Sequence, residues 1–155
     1  MFLFEQVQHI TAPMDKVWPF FANPKNLALL TPPSMKFRIL DKLPDEIENG
    51  LVVRFKVNVL GIPVNWTSLI QRTAEPGYFN DLQVEGPFNF WYHQHYFKEV
   101  EGGVEVKDRL YYLPPFGFIG KLFHPLIVKR KLIETFEYRY HKINELFGNA
   151  KSAEV

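Results

Sequence analysis

The stretch VEVKDRLYYLPPFG, residues 104–117, decides the fold. Val104, Val106, Asp108, Leu110 and Tyr112 fall on one side of a strand, and Glu105, Lys107, Arg109 and Tyr111 fall on the other. The charged side belongs in solvent, so Asp108 points inward with the apolar set. Pro114 and Pro115 end the strand, and beyond Gly120 the period changes. Leu126, Lys129, Leu132, Ile133, Phe136, Tyr140, Ile143 and Phe147 recur at spacings of three and four, with Pro125 near the start. That pattern predicts one long amphipathic helix. Gly148 suits its C-cap, and residues 148–155 read as a frayed tail.

Upstream, period two dominates. Met35, Phe37 and Ile39 alternate with Lys36 and Arg38, and Leu51, Val53, Phe55, Val57 and Val59 alternate with Arg54, Lys56 and Asn58. LGIP (60–63) turns into a strand with Val64, Trp66, Ser68 and Ile70 on one face. EPG (75–77), EGP (85–87) and EGG (101–103) separate the next strands. Short strands joined by Gly and Pro turns predict an antiparallel meander. Residues 2–10 add a first strand, with Phe2, Phe4 and Gln6 on one side. Thr11 near an N-cap and Pro13 in a first turn then open a short helix carrying Met14, Val17, Trp18 and Phe21. KNLALL (25–30) reads as a second short helix, stopped by Pro32 and Pro33.

The expected fold is therefore α+β. A curved, seven-stranded antiparallel sheet wraps a long C-terminal helix, with two short helices after the first strand, in one domain over residues 1–147. Space between sheet and helix leaves room for a cavity, and an aromatic fraction of 16% supplies rings to line it. A formal charge of +1 gives no field of one sign for nucleic acid. The absence of cysteine removes disulfides, thiolate zinc sites and thiol nucleophiles, and fits the cytoplasm. MFLFEQVQHI (1–10) lacks the basic start of a signal peptide, and no apolar run is long enough for a membrane span. The expectation is a cytoplasmic monomer or small homo-oligomer without stable membrane insertion.

Several stretches carry a resemblance: LTPP (30–33), VNWTS (64–68), FNDLQVEGPF (79–88), WYHQHYF (91–97), DRLYYLPPFG (108–117) and FEYRY (136–140). With them the chain resembles the START-like or Bet v 1-like (SRPBCC) superfamily of helix-grip proteins. It is similar to bacterial ligand-binding members, and to the domain labelled cell-division inhibitor that is sometimes fused to an epimerase-like part. The resemblance implies a hydrophobic cavity for a small molecule, without fixing a chemistry.

Alternation places Trp91, His93, His95 and Phe97 on one face and Tyr92, Gln94, Tyr96 and Lys98 on the other. The second set ends in charge, so the histidines point inward. For residues 78–85 hydrophobicity alone favours Tyr78, Asn80, Leu82 and Val84 inside. The resemblance favours Phe79, Asp81 and Gln83, and that choice is followed. The candidate ligand-binding residues are Trp66, Phe79, Asp81, Gln83, Trp91, His93, His95, Asp108, Tyr112, Phe136 and Tyr140. Arg139 is placed either against an inward carboxylate such as Asp108 or in solvent.

Three functions compete. The preferred one is binding of a lipid- or polyketide-like molecule, with the polar cluster as a hydrogen-bonded anchor. A polyketide cyclase or dehydratase would use His93 or His95 with an Asp, Asp108 being one candidate. A protein-interaction module linked to cell division predicts a small or filled cavity and an exposed patch at Tyr92, Tyr96 and Tyr111. His-x-His with Asp81 or Asp108 also has metal-ligand chemistry, but two ligands at that spacing are a weak signal, so no metal and no cofactor is expected. LPPFGFIGKLF (113–123) is either a lid at the cavity mouth or a connector, and VKRKL (128–132) reads as a solvated basic turn.

Overall fold

The computed structural model describes residues 1–148. Strand β1 (Phe2–Ile10) leads into helix α1 (Met14–Ala22) and two 3-10 turns (Pro24–Ala28 and Pro33–Met35). Six strands follow: β2 (Arg38–Ile39), β3 (Val52–Val59), β4 (Ile62–Arg72), β5 (Tyr78–Glu85), β6 (Phe90–Val100) and β7 (Gly103–Leu113). The chain then turns helical through α2 (Gly117–Phe123), a π-helical turn (His124–Val128) and α3 (Lys129–Phe147). The open sheet runs β1-β7-β6-β5-β4-β3-β2, and every adjacent pair is antiparallel. No helix among the described residues is long and apolar enough to cross a membrane.

Alternation explains which face is covered. Val53, Phe55 and Val57 of β3, and Val104, Val106, Asp108, Leu110 and Tyr112 of β7, are buried, while Arg54 and Lys56 are exposed. Helix α3 turns Leu132, Phe136 and Ile143 toward the sheet, with Phe136 against Phe4 at 4.6 Å between ring centroids. Gln8 of β1 fastens the far end, its amide donating to the Tyr140 carbonyl and to Asn144 Oδ1, each at 3.0 Å. Helix α1 plugs one end of the sheet with Trp18 and Phe21, which meet Phe97 edge-on.

Local departures from the sequence expectation have local causes. Pro13 occupies the N-cap position, its carbonyl accepting from Lys16 and Val17, so Thr11 lies two residues outside the helix and Pro13 just before its first turn. KNLALL forms a 3-10 turn over Pro24–Ala28, started by Asn23, whose side chain accepts from the Lys25 amide at 3.0 Å. Met35 lies in the second 3-10 turn, and Lys36 has a positive φ of 45°, so pairing begins only at Arg38. The helical run starts at Gly117, a few residues before the change of period beyond Gly120, and Pro125 does not end it. Proline has no N–H to give, and the chain accommodates it in a wider turn, closed by the Lys129 amide donating to the His124 carbonyl. Gly148 caps α3 with φ of 84°, and the expected tail lies outside the described residues from 149 onward.

The π turn buries His124. Its ring stacks on Phe2 at 3.6 Å, and its Nε2 is hydrogen-bonded to the Tyr112 hydroxyl. Burial pushes the Tyr112 hydroxyl up to about 12, so it stays protonated and donates. Burial, and then the Lys129 charge, lower the His124 pKa. The folded state thus favours the neutral ring, and the unfolded chain binds the extra proton. The contribution of His124 to stability is complete above the unfolded value of about 6.5 and shrinks as pH falls below it. The stability advantage of wild type over His124→Gln, from urea melts, is expected to narrow between about pH 7.5 and about pH 5. An advantage that widens toward acid would contradict a neutral buried ring.

Candidate functional site

Between the sheet and α3 lies a cavity of about 740 Å³, room enough for a lipid-sized molecule. Val53, Phe55, Val57, Trp66 and Ile70 form the wall from β3 and β4, and Leu132 and Phe136 close it from α3. Phe20, Leu27, Leu30 and Met35 contribute from α1, the 3-10 turns and the link between them, with Lys131 and Glu134 of α3 also on the lining. Among the mostly apolar residues of the inner wall, Asp81, His93 and His95 form a cluster of ionisable side chains in which both histidines are buried.

Strand register builds that spot. Asp81 of β5 lies directly across from His93 of β6, and His95 lies across from Asp108 of β7. Period two puts both imidazoles on the inward face, with ring centroids 3.9 Å apart and a carboxylate strand on each side. Asp108 Oδ1 accepts from His95 Nδ1 at 2.6 Å and from His93 Nε2 at 3.1 Å. The opposite ring nitrogens approach Asp81: His95 Nε2 lies 3.3 Å and His93 Nδ1 3.5 Å from its Oδ2. Arg139 of α3 brings a guanidinium nitrogen 3.7 Å from Asp108 and stacks over Phe136 at 5.3 Å. Phe79 stacks on His95 at 4.3 Å, and Phe136 meets His93 edge-on at 5.5 Å.

Charge follows from these contacts. Burial pushes the Asp108 carboxyl up, but hydrogen bonds from both histidines outweigh it and hold the group well below the ordinary carboxylate range. Asp81 is lowered by the same contest, its bond to His95 overcoming burial. Burial, then the neighbouring His95, lower His93. For His95 burial pulls downward, yet the bonds to Asp108 and Asp81 prevail and its pKa is raised. Both carboxyls are thus held toward their charged form, His95 toward the imidazolium and His93 toward the neutral ring, with the Arg139 guanidinium beside Asp108.

Seven of the sequence-predicted residues line the cavity: Trp66, Phe79, Asp81, Trp91, His93, His95 and Phe136. The structure does not bring the other four to the wall. Gln83 ties the turn after β5, its amide donating to the Phe88 carbonyl at 2.7 Å and its oxygen accepting from the Phe88 amide. Asp108 lies behind the histidines, Tyr112 pairs with His124, and the Tyr140 carbonyl holds Gln8. Arg139 faces Asp108 rather than solvent. Leu132 and the β3 trio were within reach of alternation and helix spacing, but His124 carried no sequence signal. Tyr92 and Tyr96 are half-buried on the outer face, where Tyr78, Tyr92, Asn80 and Gln94 share hydrogen bonds. That is a polar network rather than the bare apolar patch an interaction module predicts.

Solved structures share this architecture. TTHA0849 from Thermus thermophilus aligns with a TM-score of 0.69 at 20% identity, over 92% of this chain and 94% of that one. A START superfamily protein from Mycobacterium smegmatis aligns with a TM-score of 0.70 at 12% identity, over 93% and 98%. Ara h 8.0201 aligns with a TM-score of 0.61 at 14% identity, over 93% and 98%. Neither a family model nor a curated protein matches the sequence. The likeness, at 12–20% identity, is one of fold. With seven antiparallel strands gripping a long C-terminal helix, the chain has the START-like, Bet v 1-like helix-grip fold.

Proposed function

We propose that this protein binds a hydrophobic or amphipathic small molecule in the cavity between sheet and α3, its body against the rings and its polar group at Asp81, His93 and His95. The observation that carries this reading is a cavity of about 740 Å³ whose mostly apolar wall bears the cluster of Asp81, His93 and His95. Such walls supply affinity, and a few placed polar groups supply orientation. A lipid- or polyketide-like ligand has this division into body and head. A cytoplasmic monomer or small homo-oligomer is part of the same proposal, and the cysteine-free sequence supports the compartment.

Native mass spectrometry of freshly purified protein is expected to reveal one organic adduct per chain. Ile70, directly across from Asp81, lines the cavity beside the polar cluster. Ile70→Trp is expected to weaken binding of a fluorescent long-chain fatty acid about 100-fold, equivalent to about 2.8 kcal/mol. A bare polypeptide mass together with unchanged probe affinity in Ile70→Trp would reject the cavity as the binding site.

A second reading is proton-transfer catalysis of the cyclase or dehydratase type. It is favoured by two imidazoles that face the cavity while their far nitrogens are held by Asp108. Time separates the two: a binder returns its adduct unchanged, whereas a dehydratase converts it to a species lighter by one water.

A further inference from the structure

The four polar side chains of the cluster are not equivalent. Asp108 takes one nitrogen from each histidine and stays off the cavity. The remaining nitrogens, His93 Nδ1 and His95 Nε2, converge with Asp81 Oδ2 on the cavity side, and all three residues line it. We propose that Asp81, His93 and His95 form a binding site for a divalent transition-metal ion of the zinc or ferrous-iron class, with Asp108 as the outer carboxylate that orients both imidazoles.

The spacing fits an ion. Metal–nitrogen and metal–oxygen bonds of about 2.0–2.2 Å in a tetrahedral site separate neighbouring donors by roughly 3.3–3.6 Å. Asp81 Oδ2 lies 3.3 Å from His95 Nε2 and 3.5 Å from His93 Nδ1. The second of these is long for a hydrogen bond and ordinary for an edge of a coordination shell. Ligand atoms of all three residues lie within 4.8 Å of one another. Two imidazoles and one carboxylate suit zinc, and with open positions they suit ferrous iron. A ligating histidine gives its other N–H to a carboxylate or carbonyl, which fixes the tautomer, and here one carboxylate serves both rings. Phe79 against His95 and Phe136 against His93 hold the ring planes.

The ion would sit among Asp81 Oδ2, His93 Nδ1 and His95 Nε2, with Asp108 holding each imidazole through its other nitrogen. Its two charges offset Asp81 and Asp108, and the Arg139 cation remains. The open side of the ion faces the cavity, so the complementary head group is an anionic oxygen donor, a carboxylate or an enolate. This last step rests on the ligand reading above, whereas the ion site itself does not.

Full-length protein stripped with a chelator is titrated with Zn²⁺ alone in a calorimeter. One ion per chain is expected. Asp81→Asn and His95→Gln are each expected to weaken binding more than about 100-fold, and Asp108→Asn about 10- to 100-fold. Cu²⁺ bound to wild type, read by electron paramagnetic resonance, should couple to two imidazole nitrogens; this keeps the test independent of whether a variant folds. No stoichiometric Zn²⁺ in wild type, or coupling to fewer than two nitrogens, overturns the ion site and leaves the cavity reading standing. Decanoate should then bind about tenfold or more tightly with Zn²⁺ present, a gain that Asp81→Asn abolishes. Equal decanoate affinity with and without Zn²⁺ overturns the head-group assignment alone.

Discussion

Asp108→Ala is expected to destabilise the protein by about 3–5 kcal/mol, the cost of removing one partner from a buried charged cluster. Asp108 accepts from His95 Nδ1 and His93 Nε2 and faces the Arg139 guanidinium at 3.7 Å. Its loss strands two imidazole donors and weakens the hold on Arg139, whose side chain is only 13% exposed. His95 would then keep a single carboxylate partner, Asp81. Desolvation of charge without a partner costs far more than a hydrogen bond gains. Asp108→Asn keeps the shape and one acceptor oxygen, so it should lose less. Urea melts of the three proteins, with the slope compared as well as the midpoint, measure the difference. A loss below about 1 kcal/mol for Asp108→Ala would mean that water or a rearranged Arg139 satisfies the histidines, since surface-like pairs contribute no more than that.

That cluster also marks where sequence reading succeeds and where it stops. Alternation alone put Asp108 inside, because Glu105, Lys107 and Arg109 needed the other face. It put His93 and His95 inside for the same reason. It failed on β5, where hydrophobicity argued for Tyr78, Asn80, Leu82 and Val84. The structure exposes Val84 and turns Phe79 and Asp81 to the cavity. The reason lies on the neighbouring strand: Asp81 has His93 opposite, and Tyr78 and Asn80 join Tyr92 and Gln94 on the outer face. A side chain's partners across a sheet depend on register, and register is not written in one strand's own pattern. The resemblance supplied the β5 face that periodicity could not. The same gap hid the division of labour between the carboxylates. Both face inward, and only the registers Asp81↔His93 and His95↔Asp108 put one on the cavity and the other behind it. The long helix was legible from its apolar spacing, but the wider π turn that takes in Pro125 was not.

Trp66→Ala carries the other large expected effect, a loss of about 3–5 kcal/mol. Trp66 lies across from Phe55 in the β3–β4 pairing and stacks on it at 5.7 Å. Trp91 meets it edge-on at 5.1 Å and Phe88 lies 5.8 Å away, while its indole N–H donates to Ser68 Oγ at 3.1 Å. One ring therefore joins aromatic wall contributed by β3, β4 and β6. Removing it deletes those contacts and frees space continuous with the existing cavity, which limits how far neighbours can collapse to refill it. Stability measured by urea should fall, and the cavity should accept bulkier ligands while holding slender ones less tightly. Trp66→Phe keeps a ring but loses the indole donor, so its loss should be smaller. If Trp66→Ala cost less than about 1 kcal/mol, the indole would be packed mainly against empty cavity, and Phe55 and Trp91 would support the wall without it.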